Sequence, residues 1–232
     1  KPTDKKKKIQ YFPSVKEKNS LENFVIYDDN DYIVINKPRG IAVQSGTNNL
    51  RNIVDTIKKT KFFDHTKPYI VHRLDKETSG VFLIAKNRKC AQFFTSLFRI
   101  RKIHKTYLAI VKGVVDKSLK IMEDYLEYYE KNKKTTLKSI TFVKVLKSSN
   151  KYSLLELIPK TGRKHQLRKQ LYLRGYPIVG DQKYNIKQKV NFNNQSMLLH
   201  SLKLKFIKDN KKYNYKAEPD SIFKKKHDLY FR

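Results

Sequence analysis

Val71-His72-Arg73-Leu74-Asp75-Lys76-Glu77-Thr78-Ser79-Gly80 runs straight into Val81-Phe82-Leu83-Ile84-Ala85. The second segment is a short continuous apolar run, the pattern of a buried strand. The first is polar and charged, and residues 61–69 before it are polar and broken by Pro68. The sequence therefore hangs a charged loop on the end of a buried strand, with Thr78, Ser79 and Gly80 as turn formers at the junction. A loop held on a rigid strand is a place where a reactive group can be aimed. Asp75, with Arg73 two residues ahead of it, is the candidate. The plainer reading is an Asp that forms a turn or pairs with a nearby base.

Composition narrows what such a loop serves. At 232 residues with 39% hydrophobic content, the chain suits one large domain or two small ones. Its 52 Lys and Arg against 21 Asp and Glu leave a formal charge of +31. That excess favours a polyanion, because each phosphate neutralised releases counterions. Nucleic acid is the leading partner and an anionic membrane the second. One cysteine, Cys90, excludes an internal disulfide framework and a cysteine-based zinc finger, and it suits a reducing compartment. No apolar run approaches a membrane span and no signal-peptide pattern opens the chain, so no membrane association is expected. The spacing of His72, His165 and His200 fits no standard ligand pattern, and no metal is expected. Nor is there a phosphate-cradling Gly-rich loop, so no nucleotide cofactor is expected.

Residues 1–20 are mostly Lys, Asn and Ser and read as a basic, poorly ordered arm or linker. Residues 24–27 and 32–36 read as short strands, and Lys37-Pro38-Arg39-Gly40 then makes a shaped loop. Leu50, Ile53, Val54 and Ile57 repeat at helical spacing, with Asn48 or Asn49 as the cap. Asn87 caps a second helix whose apolar side is Cys90, Phe93, Phe94, Leu97 and Phe98, an aromatic stripe that reads as core. Residues 105–112 read as a strand closed by Gly113. Residues 123–136 are highly charged and read as an exposed insertion or edge. Residues 137–146 and 152–158 read as two more strands, residues 197–206 as another, and residues 211–232 as a basic end with 213–217 as its final strand. Between Leu157 and Gly180 there is no acidic residue, while Lys160, Arg163, Lys164, Arg168, Lys169 and Arg174 supply six positive charges. Loop amides at Gly162, a helix start and Arg side chains together suit phosphate oxygens.

Several of these segments carry a resemblance. His-Arg-Leu-Asp-x-x-Thr-Ser-Gly, complete from His72 to Gly80, resembles the signature of the RluA-type pseudouridine synthases. Pro159-x-Thr161-Gly162-Arg163-x-His165-Gln166-Leu167-Arg168 resembles a second motif of that family. Lys-Pro-x-Gly at 37–40, Lys105-x-Tyr107-x-Ala109, Gly180-Asp181-x-x-Tyr184 and Leu199-His200-Ser201 are similar to others, in the family order. The resemblance covers residues 24–217. One departure is Lys169-Gln170, where many members have Val-His.

The resemblance implies an α+β fold, a mixed and largely antiparallel sheet with flanking helices. It implies isomerisation of uridine to pseudouridine in RNA, with no cofactor: the N1–C1′ bond breaks, the uracil turns, and C5 bonds to C1′. Asp75 takes the catalytic place, Arg168 pairs with it, and Tyr107 lies against the target base. Arg73 fills the space of a flipped nucleotide. Lys37, His72, Arg163, Lys164 and His165 are expected at the RNA-binding surface, Lys37 chiefly as a structural turn that orders the active-site wall. Attack at C1′, attack at C6 and formation of a glycal all remain open. Residues 36–46 look most like the RluC branch, which acts on large-subunit ribosomal RNA; tRNA is the other substrate considered. Residues 21–232 would be one catalytic domain, working as a monomer in a bacterial cytoplasm, or in a mitochondrial matrix if the source is eukaryotic. Family members often carry a small S4 domain ahead of this one, and the arm would suit the linker after it. Two other classes are weighed. A retaining glycosidase would need a second carboxylate, for which Glu77 is the nearest acid. A non-catalytic RNA-binding or assembly protein would share the charge but not depend on Asp75.

Overall fold

The apolar run becomes β4 (Ser79–Ala85), and every residue in it is buried. The computed structural model describes residues 11–45, 51–64, 66–130, 133–185 and 195–232. Before β4 come α1 (Val15–Glu22), β1 (Val25–Asp28), β2 (Tyr32–Lys37), α2 (Ile53–Ile57), a short 3-10 turn (Lys61–Phe63) and β3 (Tyr69–Ile70). After it come α3 (Arg88–Arg99), β5 (His104–Lys112), β6 (Ile121–Glu130), β7 (Lys133–Ser148), β8 (Tyr152–Pro159) and α4 (Gln166–Leu173). The chain closes with β9 (Leu199–Lys208), β10 (Lys211–Lys216) and α5 (Ser221–Tyr230).

These strands make one sheet in the order β1-β2-β4-β9-β5-β8-β7-β6, with β10 on β9 and β3 on β4. Every pairing is antiparallel except β4 with β9, which meet in parallel through Ser79–His200 and Gly80–Ser201. This is the α+β, largely antiparallel sheet expected. The parallel contact explains Gly80. It sits at φ 109°, and a Cβ there would stand 2.1 Å from the Ser201 carbonyl oxygen. Gly80 is therefore a close-approach residue inside the strand, whereas the sequence suggested a turn.

β2 and β4 are covered on both faces. On one face Ile33, Ile35, Phe82 and Ile84 join Tyr107, Ala109, Val111, Leu155, Leu157, Leu167 and Leu171 in the main core. On the other, Tyr32, Val34, Val81 and Leu83 meet Cys90 and Phe94 of α3 and Leu204 and Phe206 of β9. Each such aliphatic or aromatic side chain contributes about 1.5–3 kcal/mol when fully buried. The aromatic stripe of α3 is core, as its spacing indicated.

Three local expectations change. The arm expected through Ser20 gives way to α1 at Val15, because Ser14 and Glu17 form a reciprocal capping box and Leu21 is buried. Residues 1–10 lie outside the described residues, as do Asn48 and Asn49; the cap of α2 is Asn52, whose side chain accepts from the Asp55 N–H. The basic C-terminal end holds α5, capped by Asp220 and packed through buried Phe223 and Phe231. The charged segment 123–136 does form the sheet edge, as β6 and the start of β7.

Candidate active site

The loop before β4 is built around Asp75. The Thr78 N–H donates to the Asp75 carbonyl at 3.0 Å and closes a single turn. The 37–40 loop holds that turn from below. Lys37 Nζ donates to the carbonyls of Pro38 and Ile41, both at 2.8 Å, and of Lys76 at 3.2 Å, while the Gly40 N–H donates to Lys76 at 2.9 Å. Lys37 is completely buried, and burial pushes its pKa down to about 7. It pins the loop, which is the structural role favoured for Lys37, and its burial sets aside the RNA contact.

His72 is corrected in the same sense. Its Nε2 accepts the Leu83 N–H at 3.0 Å, and its ring stacks on Phe98 and tilts against Phe82, each with centroids 4.6 Å apart. Burial lowers its pKa to about 3, so the ring is neutral and tied to β4. Ser79 is fixed from the other side. His200 Nε2 faces the Ala217 carbonyl at 2.9 Å and must donate there, which leaves Nδ1 to accept from Ser79 Oγ at 2.9 Å.

The side chain of Asp75 meets α4. Arg168 Nη1 donates to Asp75 Oδ2 at 3.0 Å. The rest of the guanidinium is held by Asp181, Nε to Oδ2 at 2.7 Å and Nη2 to Oδ1 at 2.9 Å. Asp181 is wholly buried and also accepts the Lys183 and Tyr184 N–H groups. Arg168 lies over the Tyr184 ring, 5.1 Å from its centroid. A planar, always-charged fork suits two carboxylates at once, which a Lys would not. Asp75 keeps 27% of its side chain exposed, with Oδ2 fixed by Arg168.

His165 stands beside the other oxygen. Its backbone is left-handed, at φ 54°, immediately before α4. This conformation is strained for a residue with a side chain. It turns the ring so that Nδ1 lies 3.0 Å from the Tyr184 hydroxyl and Nε2 lies 3.6 Å from Asp75 Oδ1. Burial is the largest influence on His165 and lowers its pKa; Arg168, Lys183 and Lys164 act in the same direction and Asp75 opposes them. His165, expected to bind RNA, thus belongs to the Asp75 cluster.

Tyr107 lies in the core row of β5. Burial first, and then the charge of Asp75, push its phenol pKa well above 10, so it is a neutral O–H at physiological pH. Two residues earlier on the same strand face, Lys105 Nζ lies 3.3 Å from where a Cβ on Gly162 would be. Lys105 has no hydrogen-bond or ion-pair partner among the described residues, and burial lowers its pKa. Arg163 Nε is buried without a partner next to Gly162, while Arg73 and Lys164 are exposed. Glu77 is exposed and is not among the partners of Asp75.

Sequence reading missed Asp181 as the anchor of Arg168. The available signal was that Asp181 is the first acid after the acid-free stretch 157–180. Lys105 and Tyr184 stood inside quoted motifs without a role. The Lys169-Gln170 departure is absorbed structurally: Gln170 accepts from Thr141 and donates to Met122, Ser139 and Asp124, and Lys169 donates to the Glu127 carbonyl.

The family model described as RNA pseudouridylate synthase matches residues 31–172, which carry β2 through most of α4 and both Asp75 and Arg168. The chain belongs to this family. It is an RNA pseudouridine synthase, an isomerase. The ribosomal large subunit pseudouridine synthase C of Buchnera aphidicola subsp. Baizongia pistaciae is 34% identical over 219 residues, 88% of this chain and 69% of that protein. The Rickettsia conorii protein of the same name is 37% identical over 196 residues, 79% of this chain and 63% of its own. The ribosomal large subunit pseudouridine synthase D of Borreliella burgdorferi is 36% identical over 195 residues, 78% and 60% of the two chains. The solved structure of human RNA pseudouridylate synthase domain containing 4 has the same fold, with a TM-score of 0.78 at 24% identity, over 91% of this chain and 94% of the human one. Among the described residues no helix is long and apolar enough to cross a membrane.

Proposed function

We propose that this pseudouridine synthase acts on large-subunit ribosomal RNA and that Asp75 is its catalytic carboxylate. The observation that carries the assignment is the division of labour at Asp75. Oδ2 is fixed by Arg168, Oδ1 lies beside His165 without a close hydrogen bond, and Asp181 holds Arg168 from behind. Attack at C1′, attack at C6 and assistance to a glycal all start from an ionised Asp75. Arg168 sets the direction of that carboxylate through its Nη1 donor. In each case the uracil detaches from C1′, turns, and rejoins through C5, and the C5 proton is removed to restore the ring.

Tyr107 offers a flat ring for the uracil and a neutral phenol that can relay the C5 proton, passing its own O–H proton to the Asp75 carboxylate as it takes the new one. Arg73, exposed one step from the site, takes the space of the flipped nucleotide. Lys105, Arg163 and Lys164 meet the RNA phosphates around it. The ribosomal substrate rests on the names of the bacterial relatives and on the RluC-like 36–46 segment. With that substrate the enzyme would work in the bacterial cytoplasm, where ribosomes are made.

The test is pseudouridine mapping by carbodiimide adduct and primer extension. Large-subunit ribosomal RNA and bulk tRNA are each incubated with wild type and with Asp75→Asn. A stop in ribosomal RNA with wild type alone is the expected result. A stop confined to tRNA overturns the substrate. Stops with both proteins overturn the role of Asp75.

A further inference from the structure

We propose that the groove between α3 and β3 carries the backbone of the substrate RNA outside the catalytic pocket. The groove has a volume of about 600 Å³ and is lined by Lys67, Tyr69, Arg88, Ala91, Gln92, Thr95, Ser96 and Arg99. Three of these are cations, four are hydrogen-bonding side chains, and none is acidic. Lys67, Arg88 and Arg99 are exposed and form no ion pair among the described residues; Lys67 only stands over the Tyr69 ring at 5.6 Å.

The charge here is not a by-product of helix stability. Between Lys86 and Val115 the chain has eight Lys and Arg and no Asp or Glu. The first turn of α3 holds Arg88 and no acid. A cation at that end opposes the positive pole of the helix dipole, so Arg88 weakens the helix that carries it. An anion in the groove reverses that sign.

The spacing favours a polymer. Arg88 and Arg99 are eleven residues apart, about 16 Å along the helix axis. That is too long for one phosphate group and suits a run of backbone phosphates. A membrane surface fits poorly, because the lining includes no large apolar side chain to enter the bilayer. At the Arg99 end of the groove the neighbouring residue Phe98 stacks on His72, which immediately precedes Arg73 in the Asp75 loop. The inference rests on the reading of RNA as the substrate, but not on which RNA or on the role of Asp75.

The experiment compares wild type with the triple variant Lys67→Gln, Arg88→Gln, Arg99→Gln. Affinity for transcribed large-subunit ribosomal RNA is measured by filter binding across about 0.05–0.2 M salt. Three lost contacts to single-stranded phosphates should make the slope of log K against log salt shallower by about 2. Pseudouridine formed per enzyme at saturating RNA should stay as in wild type, and the unfolding midpoint should not fall. A control triple on α5, Lys224→Gln, Lys225→Gln, Lys226→Gln, removes the same charge elsewhere and should change the slope less. An unchanged slope in the α3 triple overturns the groove as an RNA surface. Equal changes in both triples overturn it too, since net charge would then account for the effect. If wild type makes no pseudouridine in this RNA while the α3 triple alone loses slope, the ribosomal-substrate reading falls and the groove stands.

Discussion

Asp181 binds Arg168 at two points, and this leaves only Nη1 of the guanidinium for Asp75. The pair is buried, with 9% and 0% of the two side chains exposed. Arg168 is thereby a fixed donor that Asp75 cannot pull out of line. Asp181→Asn keeps the shape but removes the charge. Breaking a buried pair on one side costs about 3–5 kcal/mol, visible as a lower urea midpoint. Single-turnover rates should drop roughly 10- to 100-fold for a mispositioned carboxylate, while RNA affinity stays within about twofold. A normal rate at full folding would show that Asp75 needs no such support.

Tyr107→Phe separates the ring from the phenol. The ring still packs in the β5 row, so RNA affinity and folding should hold. Loss of a positioned proton-transfer group costs about 10²- to 10⁴-fold in rate. Single-turnover kinetics on the mapped RNA measure this, and a wild-type rate would leave Tyr107 only a packing role.

Gly80 and Gly40 make a matched pair for stability. Both have positive φ, 109° and 79°, but a Cβ on Gly40 meets nothing within 4 Å, whereas one on Gly80 meets the Ser201 backbone. Gly40→Ala should cost about 1–2 kcal/mol, the left-handed penalty alone. Gly80→Ala must also part β4 from β9 and should leave little folded protein at 37 °C. Urea unfolding and soluble yield test the contrast; equal effects would mean that the parallel contact is not tight.

His72 makes stability depend on pH. Its pKa is about 3 in the folded state, against 6.5 when unexposed to burial. Between these values the unfolded chain binds a proton that the folded chain does not. The contribution is therefore complete above pH 6.5 and declines as pH falls towards 3, by up to about 1.4 kcal/mol per unit. Protonating Nε2 would also end its acceptance of the Leu83 N–H. His72→Gln should be less stable at pH 7.5 but should lose less stability between pH 6.5 and pH 4.5 than wild type does. Parallel slopes for the two proteins would contradict this.

The sequence by itself determined the strands and most of the motif residues. Continuous apolar runs such as 81–85 and 107–111, and caps such as Asn87, are local signals, and the elements formed where those signals lay. The catalytic candidates were legible as motifs, because Asp75, Tyr107 and Arg168 each sit in a stretch whose order carries information. Short-range capping at Ser14 and Asp220 was equally local, yet Lys-rich composition masked both helices.

Tertiary structure decided which charges meet. Sequence named no partner for Lys37 or His72, but three carbonyls enclose one and two aromatic rings hold the other. Asp181 has no local tie to Asp75; the two are joined only through Arg168, once α4 has packed on the sheet. Gly80 is needed because β9, about 120 residues further along, passes too close for a Cβ. Periodicity fixes which face a residue takes along its own element. It carries no information on what another element will place against that face.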